Sequence, residues 1–182
     1  MPVTIRPPAP ADRAALTGFL DGLSTRTRVQ RFFAPVRPTP ALVCRACGQT
    51  GPAGHADVLL AMHGGVIIGH AMAADRAAAG ESLTEIGVVV ADAWQGQGVG
   101  SALVRALLRR AKARGVTSLS MDVLAGNHQV LAMIAGHWAA ERTRRDADCV
   151  TIQVGLPSAR RERVTPARRE HVTPAPVPLA AG

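Results

Sequence analysis

Tyrosine is absent from the chain, lysine occurs once, at Lys112, and aromatic residues make up only 3% of it. The first absence excludes any chemistry in which a tyrosine serves as acid, base or nucleophile. There are three cysteines, which cannot all pair, and the proline-rich start has no apolar stretch of the signal-peptide kind, so a reduced, cytoplasmic setting is expected. No membrane span is expected either: the longest uncharged apolar run, residues 58–74, falls short of the roughly 20 residues a spanning helix needs and is broken by Gly64-Gly65, a hairpin signal. Acidic residues are outnumbered, 13 against 21 basic, for a net charge of +8. Nearly all of that positive charge is arginine in an alanine-rich chain, which reads as compositional bias; a basic balance alone names no partner.

What is present suits one globular domain. The chain has 182 residues, 47% of them hydrophobic, enough to bury a core without a disulfide or metal staple. Period-two and period-3.6 patterns predict a strand at 3–6, helices at 12–23 and 24–33, a helical turn or two at 41–48, and a loop at 51–54. Strands follow at 58–62, 66–73 and 82–91, then a long helix to 114, a strand at 118–124, a helix at 127–135, and strands at 139–143 and 149–154. From about residue 157 the chain turns Pro- and Arg-rich, with Val-Thr-Pro-Ala written twice and nothing to bury. The expected division is therefore a domain over 1–156 and a disordered tail over 157–182. Without stacking aromatics in that tail, a nucleic-acid partner is not expected.

The densest information lies where the third of the consecutive strands meets the long helix: Trp94-Gln95-Gly96-Gln97-Gly98-Val99-Gly100-Ser101. A strand feeding a glycine-rich turn onto a helix start lets the backbone approach a ligand closely, and the first helical N–H groups lack intrahelical partners. Those groups and the helix dipole favour a phosphate or pyrophosphate. A plain turn into a helix uses the same glycines. The dinucleotide fingerprint G-x-G-x-x-G does not fit, and no Walker lysine follows. The pattern that fits is Q-x-x-G-x-G, at Gln95, Gly98 and Gly100.

Here the chain resembles the GNAT superfamily of acyl-CoA-dependent N-acyltransferases, over about residues 3–154. The Q-x-x-G-x-G turn is similar to that family's pyrophosphate motif, the order of elements is similar to the family's, and Asn127 opens the helix after the fifth strand, as its asparagine commonly does. More narrowly, Gly22-Leu23-Ser24 with Arg28, Arg31, Phe32 and Phe33 resembles a segment of the GNAT domains in bacterial protein lysine acetyltransferases. The resemblance implies an α/β (α+β) fold: a mixed, mostly antiparallel central sheet of six to seven strands with helices on both faces. It implies acetyl-CoA as acyl donor, no metal, and an amine acceptor, either a protein lysine or a small molecule. The implied coenzyme contacts are the main chain along Val88, Val89 and Val90, the turn Gln95, Gly96, Gln97, Gly98, Val99, Gly100 and Ser101, and Asn127, for which a plain N-cap role is equally open.

Attack by an amine requires a base, since an amine of pKa about 10.4 is mostly protonated at neutral pH. Glu85, a lone carboxylate on an otherwise apolar strand with its side chain opposite to Ile86 and Val88, is the candidate; the other reading is a strand-end carboxylate paired with arginine. Many relatives carry a tyrosine in the following helix to protonate the departing thiolate; here that position is Ile134, and the usual Gly-Phe after the helix is Trp138-Ala139. Cys149, His128 or water remain as alternatives. A coenzyme-binding module that has lost turnover is the second expectation. Cys44-x-x-Cys47 lacks the further close ligands of a structural zinc site, and at helical spacing the two thiols read as small apolar residues.

Overall fold

The computed structural model describes residues 2–49, 55–78 and 81–156; the expected loop at 51–54 and the expected tail at 157–182 lie outside the described residues. The elements are β1 (Thr4–Arg6), α1 (Arg13–Asp21), α2 (Thr25–Phe32), α3 (Pro40–Ala46), β2 (Ala56–His63), β3 (Val66–Ala78), β4 (Glu81–Val90), α4 (Val99–Ala113), β5 (Ser118–Leu124), α5 (His128–His137), β6 (Arg142–Arg145) and β7 (Cys149–Gly155). The strands form one seven-stranded sheet in the order β1-β2-β3-β4-β5-β7-β6. Every neighbouring pair is antiparallel except β4–β5, which is parallel. This is the mixed, mostly antiparallel architecture expected from the sequence.

Both faces of the sheet are covered, for reasons visible in side-chain spacing. On one face Leu16, Phe19 and Leu20 of α1 and Val43 and Ala46 of α3 pack on Leu60, Met62, Ile67 and Val89. On the other, Val99, Leu103 and Leu107 repeat every four residues along α4 and bury a single stripe against Leu59, Ala61, Ile68 and Ala71. Ile134 of α5 continues that layer over β5 and β7. At the far end of α4 the buried Asp57 carboxylate accepts from Arg110 Nε at 3.0 Å and Arg114 Nε at 2.7 Å, and Arg114 Nη1 also reaches Asp75 at 3.0 Å. Burial pushes the Asp57 carboxyl up, but the two guanidinium groups outweigh it and hold it low.

Several boundaries differ from expectation, most by one or two residues; β3, expected to end at residue 73, runs on to Ala78. The strand expected at 139–143 is β6, Arg142–Arg145, whose four residues are all exposed, so no apolar alternation marks it. α5 begins after Asn127 and runs on to His137. The helix expected from residue 12 begins one residue later, because Pro10–Asp12 forms a 3-10 turn in which Asp12 pairs with Arg6 at 2.6 Å. Among the described residues, no helix is long and apolar enough to cross a membrane.

Candidate active site

The site begins as a fault in the sheet. Only three rungs join β4 to β5: Leu83 with Ser118, Thr84 with Leu119 and Glu85 with Ser120. Beyond them the strands part, although β4 continues to Val90 and β5 to Leu124. The parity of β4 decides which groups face the gap. Ala91 N–H donates to Ile68 of β3 at 2.9 Å, and Val90 lies opposite Gly69, so Val90 and Val88 turn their peptide groups away from β3 and into the gap. Val89, opposite His70, has its main chain in the β3 ladder and its side chain in the core; it spaces the other two. A free strand edge with peptide groups at alternate positions can take an extended, amide-bearing ligand as if it were a strand.

Past Val90 the chain makes a 3-10 turn at Asp92–Trp94 and reaches the glycines. Gly96 has φ 73° and Gly98, the N-cap of α4, has φ 81°, a conformation costly for any side-chain-bearing residue. Among the described residues, no backbone N–H from 96 to 101 has a hydrogen-bond partner; the first helical bond runs from Ala102 N–H to the Gly98 carbonyl at 3.0 Å. No side chain caps the helix and no acid stands in its first turn. The result is a fan of donors at the positive end of a fifteen-residue helix. Val99 is buried and anchors the turn, while Gln97 folds back to the Ala93 carbonyl at 2.8 Å. Gly96, Gly98, Gly100 and Ser101 line a cleft of about 890 Å³ that passes between the parted strands. The turn and the gap thus fit an anionic diphosphate joined to an extended arm.

Gln95 plays a different part. Its Nε2 donates to the Val90 carbonyl at 3.0 Å and to Thr27 Oγ1 at 3.1 Å, so its side chain braces the turn against α2. Asp92 does the same more strongly, accepting from Ser24 N–H at 3.0 Å, Ser24 Oγ at 2.6 Å and Thr27 Oγ1 at 2.7 Å. Burial raises the Asp92 carboxyl, but the Ser24 and Thr27 donors overcome this and hold it low. Ser24 is also the N-cap of α2, accepting from Thr27 N–H at 3.2 Å. The first turn of α2 is therefore tied to the glycine turn.

One helical turn farther on, α2 reaches the face of β4 that carries Glu85, Gly87 and Val89. The Arg31 guanidinium packs directly against Gly87; a Cβ at that position would overlap it. Arg31 Nε is sealed from solvent and has no hydrogen-bond partner among the described residues. Burial lowers the Arg31 pKa; the Glu85 charge acts in the opposite sense and the Arg45 charge adds to the lowering. Glu85 itself lines the cleft on this side, with Arg26, Gln30 and Arg31 of α2. Below them His70 Nε2 donates to the Ala46 carbonyl at 2.9 Å, and burial holds its pKa down to about 4, so the ring is neutral at physiological pH. Sequence reasoning did not place Arg31 in the cleft. Its signals were its place in the resembled Gly22-to-Phe33 segment and a glycine inside a strand, which marks a close approach by another group.

Asn127 caps α5, accepting from Val130 N–H at 3.4 Å, and also lines the cleft. Ile134 is buried at the position where the resembled family commonly has tyrosine. Of the alternatives for the acid, His128 lines the cleft; Cys149 pairs with Leu124 on β5, does not line the cleft, and has its thiol raised by burial. Cys47 packs against the α1–α3 core and burial raises its thiol too. Among the described residues no three His, Cys, Asp or Glu gather as metal ligands would.

Comparison with known proteins agrees with this geometry. No curated protein sequence matches the chain. Among solved structures, the GNAT domain of S. lividans PAT superposes with a TM-score of 0.74 at 25% identity, over 85% of this chain and 90% of that one. A GNAT superfamily phosphinothricin acetyltransferase from Sinorhizobium meliloti, solved in complex with acetyl-CoA, gives 0.68 at 20% identity, over 91% and 97%. A ribosomal-protein-alanine N-acetyltransferase from Brucella melitensis gives 0.67 at 21%, over 84% and 99%; these last two show the fold alone. The sequence pattern described as the acetyltransferase (GNAT) family matches residues 27–136, from Thr27 under the glycine turn to the end of α5. With more than half of its length matched and the parted strands and open helix start in place, the chain belongs to the GNAT acetyltransferase family.

Proposed function

We propose that this protein is an N-acetyltransferase that moves the acetyl group of acetyl-CoA to a primary amine, on a protein lysine or a small molecule, by direct attack with Glu85 as general base. The observation that carries this reading is the fan of unpartnered N–H groups at 96–101, opening into the same cleft as Glu85. In it the amides from Gly96 to Ser101 hold the diphosphate, and the Val88 peptide groups with the Val90 N–H hold the pantetheine arm, the Val90 carbonyl being engaged by Gln95 Nε2. The thioester supplies the acetyl group. Glu85 takes a proton from the amine, directly or through a water, so that the nitrogen lone pair forms the new C–N bond as the C–S bond breaks. With isoleucine at 134, the leaving thiolate draws its proton from solvent or from His128 at the cleft wall.

That buried Ile134 also favours a second reading, a module that binds coenzyme and turns over slowly or not at all. Glu85→Gln, compared with wild type across an amine panel, tests the first. Acetyl-CoA binding by calorimetry should stay within about threefold while thiol release falls by about 100-fold or more. Equal release by the two proteins at neutral pH removes Glu85 from the mechanism. Tight coenzyme binding with no release from wild type for any acceptor favours the module.

A further inference from the structure

We infer that the acceptor is a small primary amine that carries a carboxylate on the same molecule, and that this carboxylate seats on Arg31. The inference deepens the proposed transferase reading and rests on it. A guanidinium is an expensive group to place inside a fold unless something of opposite charge meets it. Arg31 nevertheless sits in the cleft with Nε sealed and unpartnered among the described residues, in the space that Gly87 leaves by having no side chain. Its surroundings balance it only in part. Its Cζ lies 5.1 Å from the centre of the Phe32 ring, and among the described residues Glu85 is the one acid acting on it, while Arg45 acts against it and Arg26 lines the same cleft. A planar fork of donors lining a cleft is the usual partner of a carboxylate.

Position along α2 separates this site from the coenzyme's phosphates. The phosphate end of the cleft is the end where Asp92 and Gln95 hold Thr27. Arg31 lies one turn farther along, above residue 87 and on the same strand face as Glu85. Positions two apart on a strand are about 6.7 Å apart, so an amine at Glu85 and an anion at Arg31 must sit within about that span. A free amino acid meets this; a protein lysine, whose amine is separated from neighbouring acids by its own four methylenes, does so poorly, and a polyamine would bring positive charge to Arg31.

The test uses the full chain and matched acceptors: α- and ω-amino acids, each beside its own carboxamide, with spermidine as the cationic control. Thiol release gives kcat/KM for each, in wild type and in Arg31→Gln, and calorimetry gives acetyl-CoA affinity. For at least one pair the acid should be preferred by about tenfold to a hundredfold, the range for a charge-assisted hydrogen bond. Arg31→Gln should abolish that preference while acetyl-CoA affinity stays within about threefold. Carboxamides or spermidine used as well as the acids by wild type overturn the inference whatever the variant does, as does a preference that survives Arg31→Gln. So does an Arg31→Gln loss of acetyl-CoA affinity matching the loss of preference, which would make Arg31 a coenzyme residue. Failure of wild type to bind acetyl-CoA at all would instead remove the transferase reading beneath it.

Discussion

Gly87→Ala separates what holds the fold from what serves the acceptor. The added Cβ would come within 2.8 Å of Arg31 Nη1 and closer still to Nη2 and Cζ. The colliding atoms are the far end of a long side chain, so the strand itself need not move. Alanine in a strand interior is favoured over glycine by about 0.5–1 kcal/mol, which offsets the cost of pushing the guanidinium off its seat. Net stability should therefore stay within about 1 kcal/mol, and a chain of this size should show a Tm change of no more than about 4 °C. Activity should not be spared. Ordinary contact distance requires Arg31 to retreat by about 1 Å or more, and a displacement of that order at a positioning group costs about 100-fold. The kcat/KM for a carboxylate-bearing acceptor should fall about 10- to 100-fold, while that for its carboxamide stays within about threefold. Thermal melting and thiol release on the same preparations decide it. A Tm loss beyond about 8 °C, or undiminished transfer to the acidic acceptor, would refute the reasoning.

At the turn, Gly98→Ala adds a methyl that meets no protein atom but imposes a left-handed backbone on alanine at φ 81°; the penalty of about 1–2 kcal/mol should lower the Tm by about 2–8 °C. Acetyl-CoA affinity should weaken by about tenfold or more as the turn rearranges, and an unchanged Kd would argue that the amides there hold nothing. His70→Gln addresses pH. The folded His70 has a pKa of about 4, below its ordinary 6.5, so on acidification the unfolded chain takes up the proton first. The native protein should thus lose stability between those two values, by at most about 1.4 kcal/mol per pH unit from this group. Glutamine can still donate to the Ala46 carbonyl but does not titrate, so urea midpoints at pH 7, 5.5 and 4.5 should fall less steeply in the variant. Identical slopes would place the acid sensitivity elsewhere.

Much of this architecture is legible in the letters because it rests on local patterns. The four-residue stripe Val99, Leu103, Leu107 and the β-branched run before it each announce their element, and the glycines between them announce an open helix start. What stays hidden has no local pattern. β6 consists of four exposed residues paired at the sheet margin, so no periodicity fixes its bounds, and the strand expected at 139–143 lies at Arg142–Arg145. The Asp92 carboxylate reads as a loop residue, yet it fastens the start of α2 across 68 residues of chain. Arg31 stands out in sequence only as part of the resembled Gly22-to-Phe33 segment, with nothing there to say what it touches. Only the folded chain brings it over Gly87, and only the absence of a Cβ there makes room for it.

The parting of β4 from β5 bears on which mutations the chain can absorb. At Val88 and Val90 the cleft is met by peptide groups, while the side chains point back toward α4. A ligand held in this way could not tell valine from isoleucine or threonine, so under the proposed function the choice of letter at these two places answers to the packing behind the strand. One substitution escapes that tolerance. Proline has no N–H to offer and would silence either position for the ligand while leaving the ladder to β3 without a missing rung.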